Sequence, residues 1–360
     1  MFSHILTPLD GSPLAACVLP HVIAMARATG ARITLLRVLE RPSTGMAGDV
    51  NPFAWQMQKL EAQTYLDEIA AQLLRTVDVP VKTDLLEGCA AVQIIEHAQR
   101  TDADLIVLNT HGEGGISEWY TSSVTQKVMQ RVGISVLLVR AWRLEPRCES
   151  AQWGEQRYQR ILAPLDGSTR AECTLPIAAT LAERTDALWL VHVIPRPELF
   201  QRLPLTTDEE ALLEQIGKRN QQQAERYFEQ LQARLLPSCR TGILANHNVA
   251  TTLHRFVADE QIDLVLLCAH GFSGQDQWAF GSLAQNFINY GETPLLIVQD
   301  MPARTSSAIQ ATAQSAVQQT RTALCAPQTE RLSAHQSVSS SALAGATSLY
   351  RAEQNYAHAF

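Results

Sequence analysis

The chain repeats itself, and that repeat decides what it can fold into. Ile5-Leu6-Thr7-Pro8-Leu9-Asp10-Gly11-Ser12 returns as Ile161-Leu162-Ala163-Pro164-Leu165-Asp166-Gly167-Ser168, an offset of 156 residues. Ala15, Cys17, Leu19 and Pro20 reappear as Ala171, Cys173, Leu175 and Pro176. Further along, residues 104–108 followed by Thr110-His111-Gly112 are matched by residues 263–267 followed by Ala269-His270-Gly271. The same signals in the same order imply a duplicated domain, and 360 residues suit two domains of ordinary size.

Within each copy, strand and helix signals alternate. First strands are expected over Phe2–Leu6 and Arg160–Leu162, each ending at a Pro-x-Asp-Gly-Ser turn. Ser12 and Ser168 are good N-cap residues, so helices should start near them. Second strands fit the branched apolar runs Ile33–Leu39 and Leu188–Ile194. Second helices follow, with Leu66, Ile69, Ala70 and Leu73 at helical spacing in one copy and Ala224, Tyr227, Leu231 and Leu235 in the other. Third strands are expected over Val79–Leu85 and Arg240–Ala245, fourth over Leu105–Leu108 and Leu264–Leu267, and fifth over Ser135–Val139 and Pro294–Val298. The fourth strands are unbroken apolar runs, as expected where helices cover both faces of a parallel sheet. The fold class is α/β, with two repeated doubly wound five-stranded parallel-sheet domains and right-handed crossovers.

The implied boundaries are 1–141 for the first domain, 142–158 for a polar linker and 159–300 for the second domain. Residues 301–360 are dominated by Ala, Ser, Thr and Gln, which cannot supply a core, so disorder is the expectation there. The formal net charge of −7 and the absence of a long basic run argue against nucleic acid and anionic membrane as partners. No secretory leader or membrane-length apolar run is present, so a cytoplasmic protein is expected. The seven cysteines form no C-x-x-C pair and read as small buried hydrophobes in a reducing compartment. No metal site is expected from this spacing.

Together, the Pro-x-Asp-Gly-Ser turns, the strand-ending His-Gly and the distal Gly-Ser before a helix resemble the universal stress proteins. The resemblance covers about residues 3–140 and 158–299 and looks like a tandem two-domain member. It implies an adenine-nucleotide alpha-hydrolase-like fold, with the copies packed as a pseudo-twofold pair through their fifth strands. Pro294 of the second copy has Ser135 in the matching region of the first, so the two edges need not be equivalent. Whether the whole chain also forms a homodimer is left open.

ATP-binding members of that family carry Gly-x2-Gly-x9-Gly-Ser/Thr after the fourth strand. Glycines let backbone amides approach phosphates, and the next helix presents its N-terminus. The second copy reads Cys268-Ala269-His270-Gly271, nine residues, then Gly281-Ser282, with only the first glycine replaced. The first copy reads Asn109-Thr110-His111-Gly112, nine residues, then Ser122-Ser123, and has lost two glycines. The resemblance therefore implies ATP or AMP, with Mg²⁺ accompanying ATP, held mainly by the second copy. There Asp166 would lie beside the adenosine, Val193 would offer backbone hydrogen bonds to adenine, and His270, Gly271, Gly281 and Ser282 would surround the phosphates. Asp10, Val38, His111, Gly112 and Ser123 would form the weaker counterpart. Asp10 and Asp166 are equally explained as turn-formers, and the two histidines as backbone-bonded strand ends. The scheme also requires that Trp278 and Phe280 leave the mouth open.

Catalytic motifs are absent. There is no Gly-x4-Gly-Lys-Ser/Thr loop, no Gly-x-Ser-x-Gly elbow and no His-Glu-x-x-His helix. The four lysines, Lys59, Lys82, Lys127 and Lys218, all lie outside glycine-rich turns. The expectation is a regulatory nucleotide-binding protein of the stress response that is not an enzyme, slow ATP hydrolysis remaining open. The alternative is an adaptor of the same fold acting through protein partners.

Overall fold

A computed structural model describes residues 1–40, 51–110, 123–140, 153, 156–182, 187–195, 206–234, 239–272 and 279–300. The expected tail (301–360) and most of the linker (142–158) lie outside them. In the N-terminal half, strands β1 (His4–Pro8), β2 (Arg32–Leu39), β3 (Val81–Glu87), β4 (Leu105–Asn109) and β5 (Ser135–Val139) alternate with helices α1 (Leu19–Thr29), α2 (Pro52–Leu74), α3 (Ala90–Arg100) and α4 (Ser123–Arg131). The C-terminal half repeats this with β6 (Ile161–Pro164), β7 (Leu188–Pro195), β8 (Arg240–Asn246), β9 (Leu264–Cys268) and β10 (Leu295–Val298). Its helices are α5 (Leu175–Leu181), α6 (Thr207–Arg234), α7 (Val249–Asp259) and α8 (Ser282–Tyr290).

All ten strands join one sheet in the order β3-β2-β1-β4-β5-β10-β9-β6-β7-β8. Within each half every pairing is parallel, whereas β5 and β10 pair antiparallel. The register sets Leu137 opposite Leu296, flanked by Val136 opposite Ile297 and Leu138 opposite Leu295. Leu137 and Leu296 are equivalent positions of the repeat, so the pseudo-twofold axis passes between them and the two halves share one sheet. The edges do differ at Ser135, whose hydroxyl accepts the Gln299 amide at 3.0 Å.

Inner strands are apolar on both faces because helices cover both. Ile5, Leu105, Ile106, Val107 and their counterparts Ile161, Leu264, Val265 and Leu266 are essentially inaccessible to water. Asp104 and Asp263, just before β4 and β9, serve a matching role. Each carboxylate accepts two backbone amides at the start of the neighbouring first strand, from Ser3 and His4 (2.8 and 3.0 Å) and from Gln159 and Arg160 (2.7 and 3.1 Å). That fixes the register of β1 on β4 and of β6 on β9.

Several boundaries differ from the sequence reading, β1 itself running His4–Pro8 rather than Phe2–Leu6. Ser12 and Ser168 cap a single 3-10 turn (Ala15–Val18 and Ala171–Thr174) by accepting the amides of Ala15 and Ala171, and α1 and α5 begin only after it. The cause is Pro20 and Pro176 near each helix start: lacking an N–H, they are tolerated only in the first turn. The third strand is β3 at Val81–Glu87, two residues later than expected, because Pro80 precedes it. Tyr158, assigned to the end of the linker, is buried and its hydroxyl lies 2.8 Å from His21 Nδ1 of α1. A second polar tie crosses between the halves. Buried Arg140, just after β5, donates to the carbonyls of Phe287 (2.7 Å) and Ile288 (2.9 Å) in the last turn of α8, and burial pushes its pKa down to about 10.

Candidate functional site

In each half, the crevice opens at the C-terminal ends of the first and fourth strands, where the chain order of the sheet reverses. At the end of β6 the chain turns at Asp166. Its Oδ1 accepts the Ser168 amide (2.9 Å) and hydroxyl (2.6 Å), and its Oδ2 accepts the Phe272 amide (2.6 Å) from the loop after β9. Partial burial raises the carboxyl pKa, but these hydrogen bonds, led by the Ser168 hydroxyl, outweigh it and hold the pKa below the usual aspartate value. Turn formation and contact with the distal loop thus coexist at one side chain.

Gly271 is required here for space. A Cβ built on it would fall 2.5 Å from Asp166 Oδ2. Gly281 approaches the same loop, donating its amide to Ala269 O at 2.7 Å. As the N-cap of α8 it brings no side chain to occupy the amides of the first helical turn, which Ser282 opens. Gly271 thus stands against Asp166, and Gly281, followed by Ser282, stands against the backbone of Gly271. Phe280 is buried in the apolar cluster that also holds Ala269, Ala284 and Phe287, while Trp278 lies outside the described residues.

Val193 sits in β7 beyond the point where β6 ends, β6 pairing only as far as Pro164 opposite Val191. The Val191 carbonyl accepts the Leu165 amide at 2.8 Å, so it points toward β6. Backbone direction alternates along a strand, so the Val193 amide and carbonyl point the same way, into the crevice. Val38 is placed alike in β2, because the Leu36 carbonyl accepts the Leu9 amide at 2.8 Å.

His270 is turned inward and fully buried, with Nδ1 2.8 Å from Asp300 Oδ1. The partner of Nδ1 is a carboxylate, which the sequence did not point to. Arg170 Nε stands 3.5 Å from Asp300 Oδ2, so charge from the start of the C-terminal half's 3-10 turn reaches the segment just after β10. This network anchors the loop that carries Gly271. The repeat places Leu14 and Ala141 where Arg170 and Asp300 stand, so the first half lacks the residues to build it.

The N-terminal half also differs at its mouth. Asp10 accepts the Ser12 amide at 2.9 Å, but the Arg37 guanidinium lies against Gly11, where a built Cβ would come within 2.7 Å of Nη2. The equivalent of Arg37 is His192, whose Nδ1 lies 2.7 Å from Leu165 O, and nothing described lies within 4 Å of a Cβ built on Gly167. Asn109 Nδ2 donates to Leu14 O at 2.6 Å. His111 and Gly112 lie outside the described residues, and Ser123 is described only as the first residue of α4.

Two tyrosines that the sequence did not connect with the site complete the setting. Tyr65 and Tyr227 occupy matching positions of α2 and α6. In both, burial first, then nearby carboxylates (Asp10 for Tyr65, Glu172 and Asp166 for Tyr227), pushes the phenol pKa up. Of the five described cysteines, Cys17 and Cys239 are buried as expected, whereas Cys173 and Cys268 are half-buried and Cys89 is exposed; Cys148 and Cys325 lie outside the described residues. Among the described residues, no group of His, Cys, Asp and Glu could hold a metal ion, and no helix is long and apolar enough to cross a membrane.

Two five-stranded parallel halves sharing one sheet, each with its helices wound on both faces, define a duplicated, doubly wound α/β protein. The model of the universal stress protein family matches residues 1–140 and 157–299, and the chain belongs to that family. A universal stress protein of Thermus aquaticus is 33% identical over 141 residues, covering 39% of this chain and 100% of the relative. One from Methanocaldococcus jannaschii is 28% identical over 142 residues, covering 39% of this chain and 83% of that protein. Among solved structures, a universal stress protein from Archaeoglobus fulgidus superposes with a TM-score of 0.54 at 16% identity, covering 83% of this chain and 98% of its own. A functionally unknown protein of Pseudomonas aeruginosa gives 0.56 at 13% identity over 87% and 98%. These two likenesses speak for the fold alone.

Proposed function

We propose that this universal stress protein is a regulatory binder of an adenine nucleotide, ATP or AMP, held at the C-terminal half's mouth. The observation that carries the reading is the approach of Gly281 to Gly271, which itself stands against Asp166, so that backbone amides and the start of α8 can meet an anion and no Cβ intervenes. Val193 would read the adenine edge through its backbone, and Asp166 would sit at the ribose, exchanging its bond from Phe272 for a sugar hydroxyl. Mg²⁺ would accompany ATP. The N-terminal half contributes little binding, because Arg37 crowds Gly11 and Ser122 stands where a glycine is needed.

Binding rather than turnover is favoured by the lysines. Lys59, Lys82 and Lys218 are paired with Glu87, Asp84 and Glu214 on helix and strand surfaces, so none of these three is aimed at a phosphate. One observation favours a ligand-free adaptor instead: both aspartates are already engaged by their own turns. Native mass spectrometry of the full chain, with and without Mg·ATP, separates the two readings. One bound nucleotide per chain supports the first; a chain that stays empty at millimolar ATP supports the adaptor.

A further inference from the structure

The repeat supplies a pair of thiols in one half and withholds it in the other. Cys173 lies in the 3-10 turn that follows Asp166-Gly167-Ser168, and Cys268 is the last residue of β9. They are 95 residues apart in sequence, yet the packing of that turn on β9 leaves the two sulfurs 3.6 Å apart and both side chains half-buried. At the matching positions of the first half stand Cys17 and Asn109. There the Cys17 thiol donates to Leu14 O at 2.7 Å, and the Asn109 amide donates to the same carbonyl at 2.6 Å.

We infer that Cys173 and Cys268 form an oxidative modification site, which small-molecule disulfides convert into an intramolecular disulfide tying the 3-10 turn to the end of β9. Closing from 3.6 Å to the bonding distance of about 2.05 Å needs the sulfurs to approach by roughly 1.5 Å. The two thiols share one hydrogen bond, so either can supply the attacking thiolate; the exchange is written for Cys173. A hydrogen bond from the Cys268 thiol stabilises its thiolate and lowers its pKa, against the opposing effects of burial and Asp300. The same hydrogen bond, then burial, raises Cys268, as expected when two thiols share one proton.

The steps balance as ordinary thiol–disulfide exchange. The Cys173 thiolate attacks one sulfur of the small disulfide, forming a mixed disulfide and releasing one thiolate. Cys268, deprotonated as it reacts, attacks the Cys173 sulfur, forms the Cys173–Cys268 bond and expels the second thiolate. The two protein protons end on the two released thiols, and the small disulfide is the species reduced. Formation of the bond does not depend on whether the mouth holds a nucleotide.

The test uses the reduced full-length chain, incubated with oxidised glutathione, then alkylated and mapped by peptide mass spectrometry. The native chain should yield a Cys173–Cys268 cross-link with two hydrogens lost and no retained glutathione, while exposed Cys89 keeps a simple adduct and Cys17 stays reduced. The cross-link should form at least about ten-fold more slowly in urea, where the fold no longer holds the thiols together. In Cys268→Ser, glutathione should remain on Cys173. A native chain in which Cys173 or Cys268 retains glutathione, neither reacts, or the cross-link involves another cysteine would overturn the inference, whatever the variant does.

Discussion

Stability of the fold should depend on pH through His21 in a way that can be calculated. The side chain is fully buried in α1, with Nδ1 2.8 Å from the Tyr158 hydroxyl and the rings stacked at 5.8 Å. Burial lowers its pKa from 6.5 to about 4. In the unfolded chain His21 takes up a proton as pH falls through 6.5, whereas in the folded chain it resists until about 4. Its neutral form therefore contributes stability that is intact above pH 6.5 and is lost progressively as pH falls toward 4. At about 1.4 kcal/mol per pKa unit, the loss is about 2 kcal/mol between pH 7 and pH 5 and roughly 3 kcal/mol by pH 4. His4 and His97 are also lowered, burial being the largest cause in each, so the whole protein will show further acid sensitivity of the same sign. The His21 share is isolated by His21→Asn, which keeps a polar partner for the Tyr158 hydroxyl and does not titrate. Urea unfolding of both proteins at pH 7 and pH 5 should show the wild type losing about 2 kcal/mol more than the variant. Equal losses would refute the argument that this imidazole is buried neutral.

Three other outcomes follow from the geometry. Gly271→Ala puts a methyl 2.5 Å from Asp166 Oδ2 and should cost about 1–2 kcal/mol, since the half-exposed carboxylate must give up the Phe272 amide. In an Asp166→Ala background most of that cost should vanish, so strict additivity in a double-mutant cycle by urea unfolding would count against the contact. Arg140→Met removes the donor for two carbonyls at the end of α8 and should destabilise by about 2–3 kcal/mol in the same assay. Gln299→Met, at the matching position, should cost less than about 1 kcal/mol, because the Gln299 bond to Ser135 uses its backbone amide.

The sheet was legible in the sequence because inner parallel strands must be apolar on both faces, and Leu105–Leu108 and Leu264–Leu267 could be little else. Helix starts were less legible. Asp-Gly-Ser reads as a cap, but the proline eight residues after each serine delays α1 and α5 behind a 3-10 turn. At the candidate site, the glycine spacing pointed to Gly271 and Gly281; Gly271 stands against Asp166, and Gly281 against the backbone of Ala269 to Gly271. The His270–Asp300–Arg170 network could not be read, because its members lie in three segments that only the ordering of β6, β9 and β10 brings together. The repeat did hold a usable signal: Arg170 and Asp300 replace Leu14 and Ala141, and paired charges appearing in one copy alone suggest a partnership. Cys173 and Cys268 escaped notice for a related reason, since cysteines 95 residues apart form no local motif.

The central claim is that the C-terminal mouth grips a phosphate chain with bare backbone. Isothermal titration of Mg·ATP into the full chain and into Gly281→Ala tests it directly. Gly281 has φ −68°, and a Cβ there meets Ala269 O at 3.5 Å and Gly271 N at 3.8 Å, so alanine fits the fold while covering the Gly271 amide. The account predicts one site per chain in the wild type and at least about ten-fold weaker binding in a variant of unchanged stability. No binding heat in the wild type, or equal affinity in both proteins, would contradict it.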